Sequence, residues 1–181
     1  MTNENTWPKR CFLGFALSEP QRQQLCSWQQ QLGEGNHRWV ASANLHLTLA
    51  FLGQLQPTQM QQLLERVQLL SLQRFSQPLT QLAYWPKPNI ACMTSEHVAT
   101  ALQLMAAEAQ QLMQQLALPA SEHSVYRPHI TLARKANSLT NSWETLVPVQ
   151  LNLQPTALHL YHSQSSETGV RYQILKSWPL V

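Results

Sequence analysis

Four side chains in this sequence carry types and spacing suited to acid–base work on a single small group. They come from a phrase that occurs twice, His46-Leu47-Thr48-Leu49-Ala50 and His129-Ile130-Thr131-Leu132-Ala133. Imidazole titrates near neutrality, so one histidine can act as a base while another acts as an acid. A threonine hydroxyl is too weakly basic for that task but donates well to anionic oxygens. Two hydroxyl donors beside two imidazoles therefore suit a phosphodiester: the hydroxyls hold non-bridging oxygens while the imidazoles handle water and leaving group. Arg127 and Arg134 bracket the second copy and offer a cationic clamp. With 7 histidines and 12 threonines in 181 residues, chance alone gives roughly 0.5 His-x-Thr matches. The Leu-Ala that follows both copies is what lifts the repeat above coincidence.

The elements that must position these groups are strands. Leu45, Leu47, Leu49 and Phe51 fall on one parity, and His46, Thr48, Ala50 and Leu52 on the other. Period-two alternation predicts a strand with the leucines in a core and His46 and Thr48 side by side on the opposite face. Ile130 and Leu132 stand in the same relation to His129 and Thr131.

Other strands are expected over 11–17, near Trp39-Val40, and over 79–84, 90–93, 149–153, 157–161 and 170–175. A loop ending at Gly169 should join the last two. Residues 1–9 read as a loose end. Helices are expected from Ser18-Pro20 to the Gly33–Asn36 stretch, from Pro57 through Leu70, and from a Thr94 or Ser95 cap through Leu116. The pattern predicts a single domain over 1–181 with an α+β fold: two similar lobes, each a mainly antiparallel sheet with helices outside, and the two motifs facing across a central cleft. Strand order does not follow from the pattern, and one mixed sheet is the alternative.

Composition narrows the chemistry. Charged residues make up 12% of the chain, its net charge is +3, and glutamine is frequent on the helical stretches. That balance permits an anionic ligand without suggesting a broad nucleic-acid stripe. There is no aspartate, which disfavours carboxylate-rich magnesium, calcium or two-metal sites. Cys11, Cys26 and Cys92 lack zinc or redox spacing and read as free thiols in a reducing compartment. No signal peptide or membrane-length apolar run is recognisable, so a cytoplasmic monomer without cofactor or membrane partner is expected.

The stretches Leu45–Gly53 and Arg127–Arg134 resemble the paired motifs of the two-histidine phosphoesterase superfamily, and most of all its bacterial RNA 2′,3′-cyclic phosphodiesterases, also called 2′-5′ RNA ligases. Further matching features are Phe12–Leu17, Trp39-Val40, and Leu158–Tyr161 through Gly169, Arg171, Tyr172 and Leu175. The resemblance implies a bilobal α+β fold and metal-free hydrolysis of an RNA terminal 2′,3′-cyclic phosphate to a 2′-phosphate, with ligation as a reverse activity. It implies His46 as proton donor to the leaving 3′-oxygen, His129 as the base that activates water, and Thr48 and Thr131 as phosphate holders. Arg134 matches a basic position of the family. The partners it implies are RNA or nucleotide ends, tRNA fragments among them.

Tyr126 and Trp85 are candidates to stack on a terminal base; Trp39, Tyr161 and His159 are more simply explained by packing within the sheet. Two other readings compete. An RNA-end binding module without turnover would not need both intact motifs. A metal-dependent hydrolase with histidine ligands would be expected to carry carboxylates as well.

Overall fold

The computed structural model describes residues 6–32, 37–119, 125–136, 149–166 and 169–181. The expected helix-ending stretch 33–36 lies outside these residues. The chain runs β1 (Lys9–Ala16), α1 (Glu19–Leu32), β2 (Arg38–Trp39), a 3-10 turn (Ser42–Asn44), β3 (His46–Leu55), α2 (Pro57–Val67), β4 (Gln77–Leu79), β5 (Gln81–Trp85), β6 (Ile90–Thr94), α3 (Thr100–Gln115), β7 (His129–Arg134), β8 (Leu151–Leu153), β9 (Ala157–Ser166) and β10 (Gly169–Pro179).

This is an α+β fold. Instead of two separate sheets, one 8-stranded sheet runs β10-β9-β1-β3-β7-β6-β5, with β2 pairing β7 off that path; β4 and β8 form a small second sheet. Every pairing is antiparallel, so the mixed-sheet alternative does not apply. The two motif strands lie at the middle and meet at one register pair, Leu47 opposite Ile130. Both side chains are fully buried in the apolar cluster that also takes Leu63 and Val67 from α2 and Leu102, Met105 and Ala109 from α3. Truncating either to alanine would cost about 2–5 kcal/mol and loosen that junction.

Three bulges in the pairings of the motif strands alter the expected alternation. The β1–β3 register slips between Leu13 and Gly14 and again between Cys11 and Phe12, leaving Leu49 and Leu52 as extra residues on β3. An extra residue reverses the parity of everything beyond it. Leu49 and Leu52 are thus both buried, while Phe51, expected in the core, is 61% exposed. The β6–β7 register slips between Ala91 and Cys92, which makes Leu132 the extra residue on β7. Leu49 and Leu132 hold the same place in their motifs, so the repeat extends to its bulge.

Several bounds differ from the sequence pattern. α3 begins at Thr100, because Thr94 stays in the sheet opposite His129. Its first turn is held from outside the helix: the buried Gln77 accepts from the Ala99 N–H at 2.9 Å and donates to the His97 carbonyl at 2.8 Å. α2 ends at Val67, short of Leu70. β1 takes in Lys9, and β9 and β10 run on to Ser166 and from Gly169, so the expected loop there is mostly hairpin. Among the described residues no helix is long and apolar enough to cross a membrane.

Candidate active site

Leu47 opposite Ile130 dictates what stands next to them. In an antiparallel ladder the neighbours one step away are His46 beside Thr131, and Thr48 beside His129. Because Leu47 and Ile130 point into the core, these four side chains belong to the other face. The register thus sets both imidazoles and both hydroxyls on one face, flanking the Leu47–Ile130 pair.

Each histidine is oriented by the same device. His46 Nδ1 lies 2.6 Å from the carbonyl of Asn44, and His129 Nδ1 lies 2.9 Å from the carbonyl of Arg127. A carbonyl only accepts, so Nδ1 carries the hydrogen in both rings and the lone pair of the neutral form is on Nε2. His46 Nε2 is 2.9 Å from Thr48 Oγ1, and with neutral His46 the hydroxyl is the donor. Burial pushes the His46 pKa down to about 4; the Asn44 carbonyl pulls the other way, and the charges of His129 and Arg134 add to the lowering.

The surroundings of the two rings differ. Phe12, Tyr172 and Tyr161 wall His46, with ring centroids 4.7, 5.1 and 5.9 Å away. Beside His129 stands Trp85, at 4.6 Å.

The bulge at Leu132 decides where Arg134 goes. On a regular strand it would share the core face with Ile130 and Leu132. Instead Thr131 pairs with Cys92 and Arg134 with Ile90, residues two apart on β6, so Arg134 shares the face of Thr131. The corresponding position after the first motif is the exposed Phe51.

Arg127 has an exposed side chain, and its carbonyl serves His129. Tyr126 is placed differently from the stacking role expected of it. Its hydroxyl donates to the Thr48 carbonyl at 2.8 Å and its ring packs on the core; burial pushes its phenol pKa far up. It braces one motif from the segment leading into the other. Thr94 braces the second motif, donating to the Pro128 carbonyl at 2.9 Å. His159 accepts from or donates to Ser177 Oγ at 2.8 Å and belongs to the sheet surface.

Sequence reasoning missed Phe12, Phe51, Tyr172 and Asn44. Phe12 and Phe51 were assigned to strands but not to this face. Asn44 precedes His46 by two residues, yet its value lies in a long-range tie: its side chain donates to the Val170 carbonyl at 2.6 Å and accepts from the Tyr172 N–H at 3.3 Å. Among the described residues, no three His, Cys, Asp or Glu side chains gather where they could hold a metal ion.

The LigT-like phosphoesterase family model matches residues 15–92, a span that holds the first motif. An RNA 2′,3′-cyclic phosphodiesterase of Escherichia coli (strain K12) is 29% identical over 183 residues, covering 96% of this chain and 97% of that one. The crystal structure of E. coli LigT complexed with 3′-AMP superposes with a TM-score of 0.88 at 26% identity, covering 96% of this chain and 99% of that one. A Thermus thermophilus protein shares the fold, with a TM-score of 0.79 at 23% identity over 94% of this chain and 97% of its own. With the paired histidine–threonine strands in the middle of that fold, the chain is similar in sequence and in fold to LigT-like phosphoesterases.

Proposed function

We propose that this protein hydrolyses RNA or nucleotide ends bearing a 2′,3′-cyclic phosphate to 2′-phosphomonoesters, using His46 and His129 without a metal. The observation that carries this reading is the Leu47–Ile130 register, which supports a site of two imidazoles and two hydroxyls flanking that pair on one face. A single phosphate fits that arrangement: Thr48 and Thr131 donate to its non-bridging oxygens, and Arg134 adds positive charge from the same face. His129 takes the proton from water, and His46 gives one to the departing 3′-oxygen. A relative solved with 3′-AMP supports a nucleotide ligand. With a 5′-hydroxyl in place of the attacking water, the same chemistry would join RNA ends through a 2′-5′ bond.

The low pKa of His46, about 4, sets a condition on this division of labour. At pH 7 only about one site in a thousand would carry the proton there. An anionic phosphodiester about 4 Å away attracts an imidazolium by about 4 kcal/mol at an effective dielectric near 20. That is about a thousandfold in protonation, enough to bring His46 to rough balance. The substrate thus charges its own acid, and Thr48, released from donating to His46 Nε2, turns to the phosphate.

The test is incubation of pure protein with 2′,3′-cyclic AMP in excess EDTA, with the product isomer identified by chromatography. Adenosine 2′-phosphate formed at an undiminished rate is the expected result. A 3′-phosphate product would reverse the assigned roles. Loss of activity in EDTA, restored by a metal, would favour a metal-dependent hydrolase, and tight binding without turnover an end-binding module.

A further inference from the structure

We propose that Gln29, a buried residue of α1, is a positioning residue for the second motif: it pins the bulge at Leu132 and through it keeps Arg134 on the face of the candidate active site. This rests on the cyclic-phosphate reading above, in which Arg134 offers positive charge to the substrate. Gln29 is 6% exposed. Its Nε2 donates to the Leu132 carbonyl at 3.1 Å and to the Val40 carbonyl at 3.2 Å. Both oxygens can only accept, so the amide nitrogen is the atom that faces them, and its two hydrogens serve two segments at once. A buried amide costs stability unless it is bonded in this way.

The place of this contact on β7 gives it its consequence. Leu132 is the extra residue of the β6–β7 pairing, and an extra residue is left out of the ladder. Its carbonyl serves the opposite edge of β7, where β2 pairs, and accepts there from the Val40 N–H at 2.8 Å as well as from Gln29. Gln29 thus binds the two segments just where β2 ends, from a helix whose Leu25 and Trp28 anchor it in the apolar core. A bulge that slips along its strand transfers each residue it passes to the opposite face. Moved past Arg134, it would turn that guanidinium towards the core. Held at Leu132, it leaves Thr131 and Arg134 on one face.

Gln29 itself lies away from the reacting groups. It follows Leu25 by four residues and so shares the core-facing side of α1. Both of its bonds are to backbone, and a change there reaches turnover through the strand. Thr131 precedes the bulge and is set by its own pairing with Cys92, whereas Arg134 follows it. Gln29 therefore acts on the cation rather than on the hydroxyl. Arg134 is in turn close enough for its charge to act on His46, which carries the effect of the bulge to the first motif as well.

The experiment measures kcat/KM for 2′,3′-cyclic AMP in a double-mutant cycle of Gln29→Met and Arg134→Gln, with rates expressed per folded molecule. Methionine keeps the length of glutamine but has no hydrogen to donate. Gln29→Met alone should lower kcat/KM by about tenfold, and by less than about twofold once Arg134 is already glutamine, since residues that act through one another are not additive. A residue that only supports the fold would cost the same factor in both backgrounds. That result overturns the proposal while leaving the cyclic phosphodiesterase reading intact, as does full activity of Gln29→Met. NMR titration of the His46 ring gives a second readout. Gln29→Met should raise its pKa, as removal of the Arg134 charge does, with no further rise in the double variant. A titration unmoved by Gln29→Met would also overturn the proposal. If Gln29→Met does not fold, Gln29→Asn, which draws the amide back by one methylene, carries the same cycle. No turnover by the wild-type protein would overturn the cyclic phosphodiesterase reading, and the His46 titration would then decide whether Gln29 places Arg134.

Discussion

The two copies of the histidine–threonine phrase share a strand, a bulge position and a carbonyl that grips Nδ1, yet they sit in unlike surroundings. His46 is enclosed by Phe12, Tyr161 and Tyr172, and burial holds its pKa near 4. His129 stands by Trp85 and beyond it comes Arg134, where the first copy has Phe51. A repeated backbone device thus fixes tautomer and aim, while the neighbours set the electrostatics. In the proposed reaction this inequality works against His46 as the acid until an anionic phosphate is bound, because burial disfavours the imidazolium.

The strongest way to break the comparison is to remove each imidazole. His46→Ala and His129→Ala should each lower turnover of a cyclic nucleotide by about 10²–10⁴-fold, with circular dichroism unchanged because neither ring is needed by the core. Near-normal turnover in either variant would show that the two copies do not share the work. Next come the hydroxyls. Thr48→Val and Thr131→Val should each cost about 10²–10³-fold, as for loss of one oxyanion donor. Assays of kcat for the two variants side by side check this; a Thr131 variant with full activity would leave only one copy holding the phosphate.

What the sequence could show, and what it could not, divides along the same lines. Parity placed His46 with Thr48 and His129 with Thr131, because two successive alternate positions need no information beyond the strand itself. It failed at Phe51 and Arg134, three residues past each threonine. There the bulges at Leu49 and Leu132 intervene, and a bulge is written in the hydrogen bonding of two strands rather than in either one. Arg134 was singled out, but as a charge next to a motif; only the β6–β7 register explains how it reaches that face. The start of α3 was misplaced for a related reason, since its first turn is tied by Gln77 from another strand. The joining of two expected lobes into one sheet rests on a single pair, Leu47 and Ile130, which no local pattern announces.

A third test sharpens the electrostatic side of the comparison. His46 is depressed in the folded state, from 6.5 to about 4, so between those pH values the unfolded chain binds more protons there than the folded one. Stability from this residue is therefore complete above pH 6.5 and is lost as pH falls towards 4, by about 3 kcal/mol in all. Urea unfolding at pH 7 and pH 4 should show a difference between the two conditions that is smaller by about that amount in His46→Gln. An unchanged difference would mean that burial does not depress His46 as described.

The smallest expected effect concerns how the first imidazole is held. Asn44 and Arg127 occupy equivalent places, two residues before each histidine, and each lends a backbone carbonyl to Nδ1. The Arg127 side chain is exposed, whereas the Asn44 side chain is fastened to β10 at both Val170 and Tyr172. The first histidine is thus tied to the far hairpin, which also carries Tyr172 against its ring. Each of those hydrogen bonds contributes about 0.5–1.5 kcal/mol, so Asn44→Ala should let the carbonyl shift at a modest cost. The expected result is a fall in kcat of about tenfold with KM altered far less, since alignment of the proton donor matters in the transition state more than in binding. Nitrogen-15 shifts of the His46 ring should move towards a mixture of tautomers as the Nδ1–H bond loosens. Asn44→Asp, which keeps the acceptor for the Tyr172 N–H and loses the donor to Val170, should fall between the two. A variant with wild-type kcat and an unmixed tautomer would show that the carbonyl is held by the 3-10 turn alone, making the two copies equivalent in this respect.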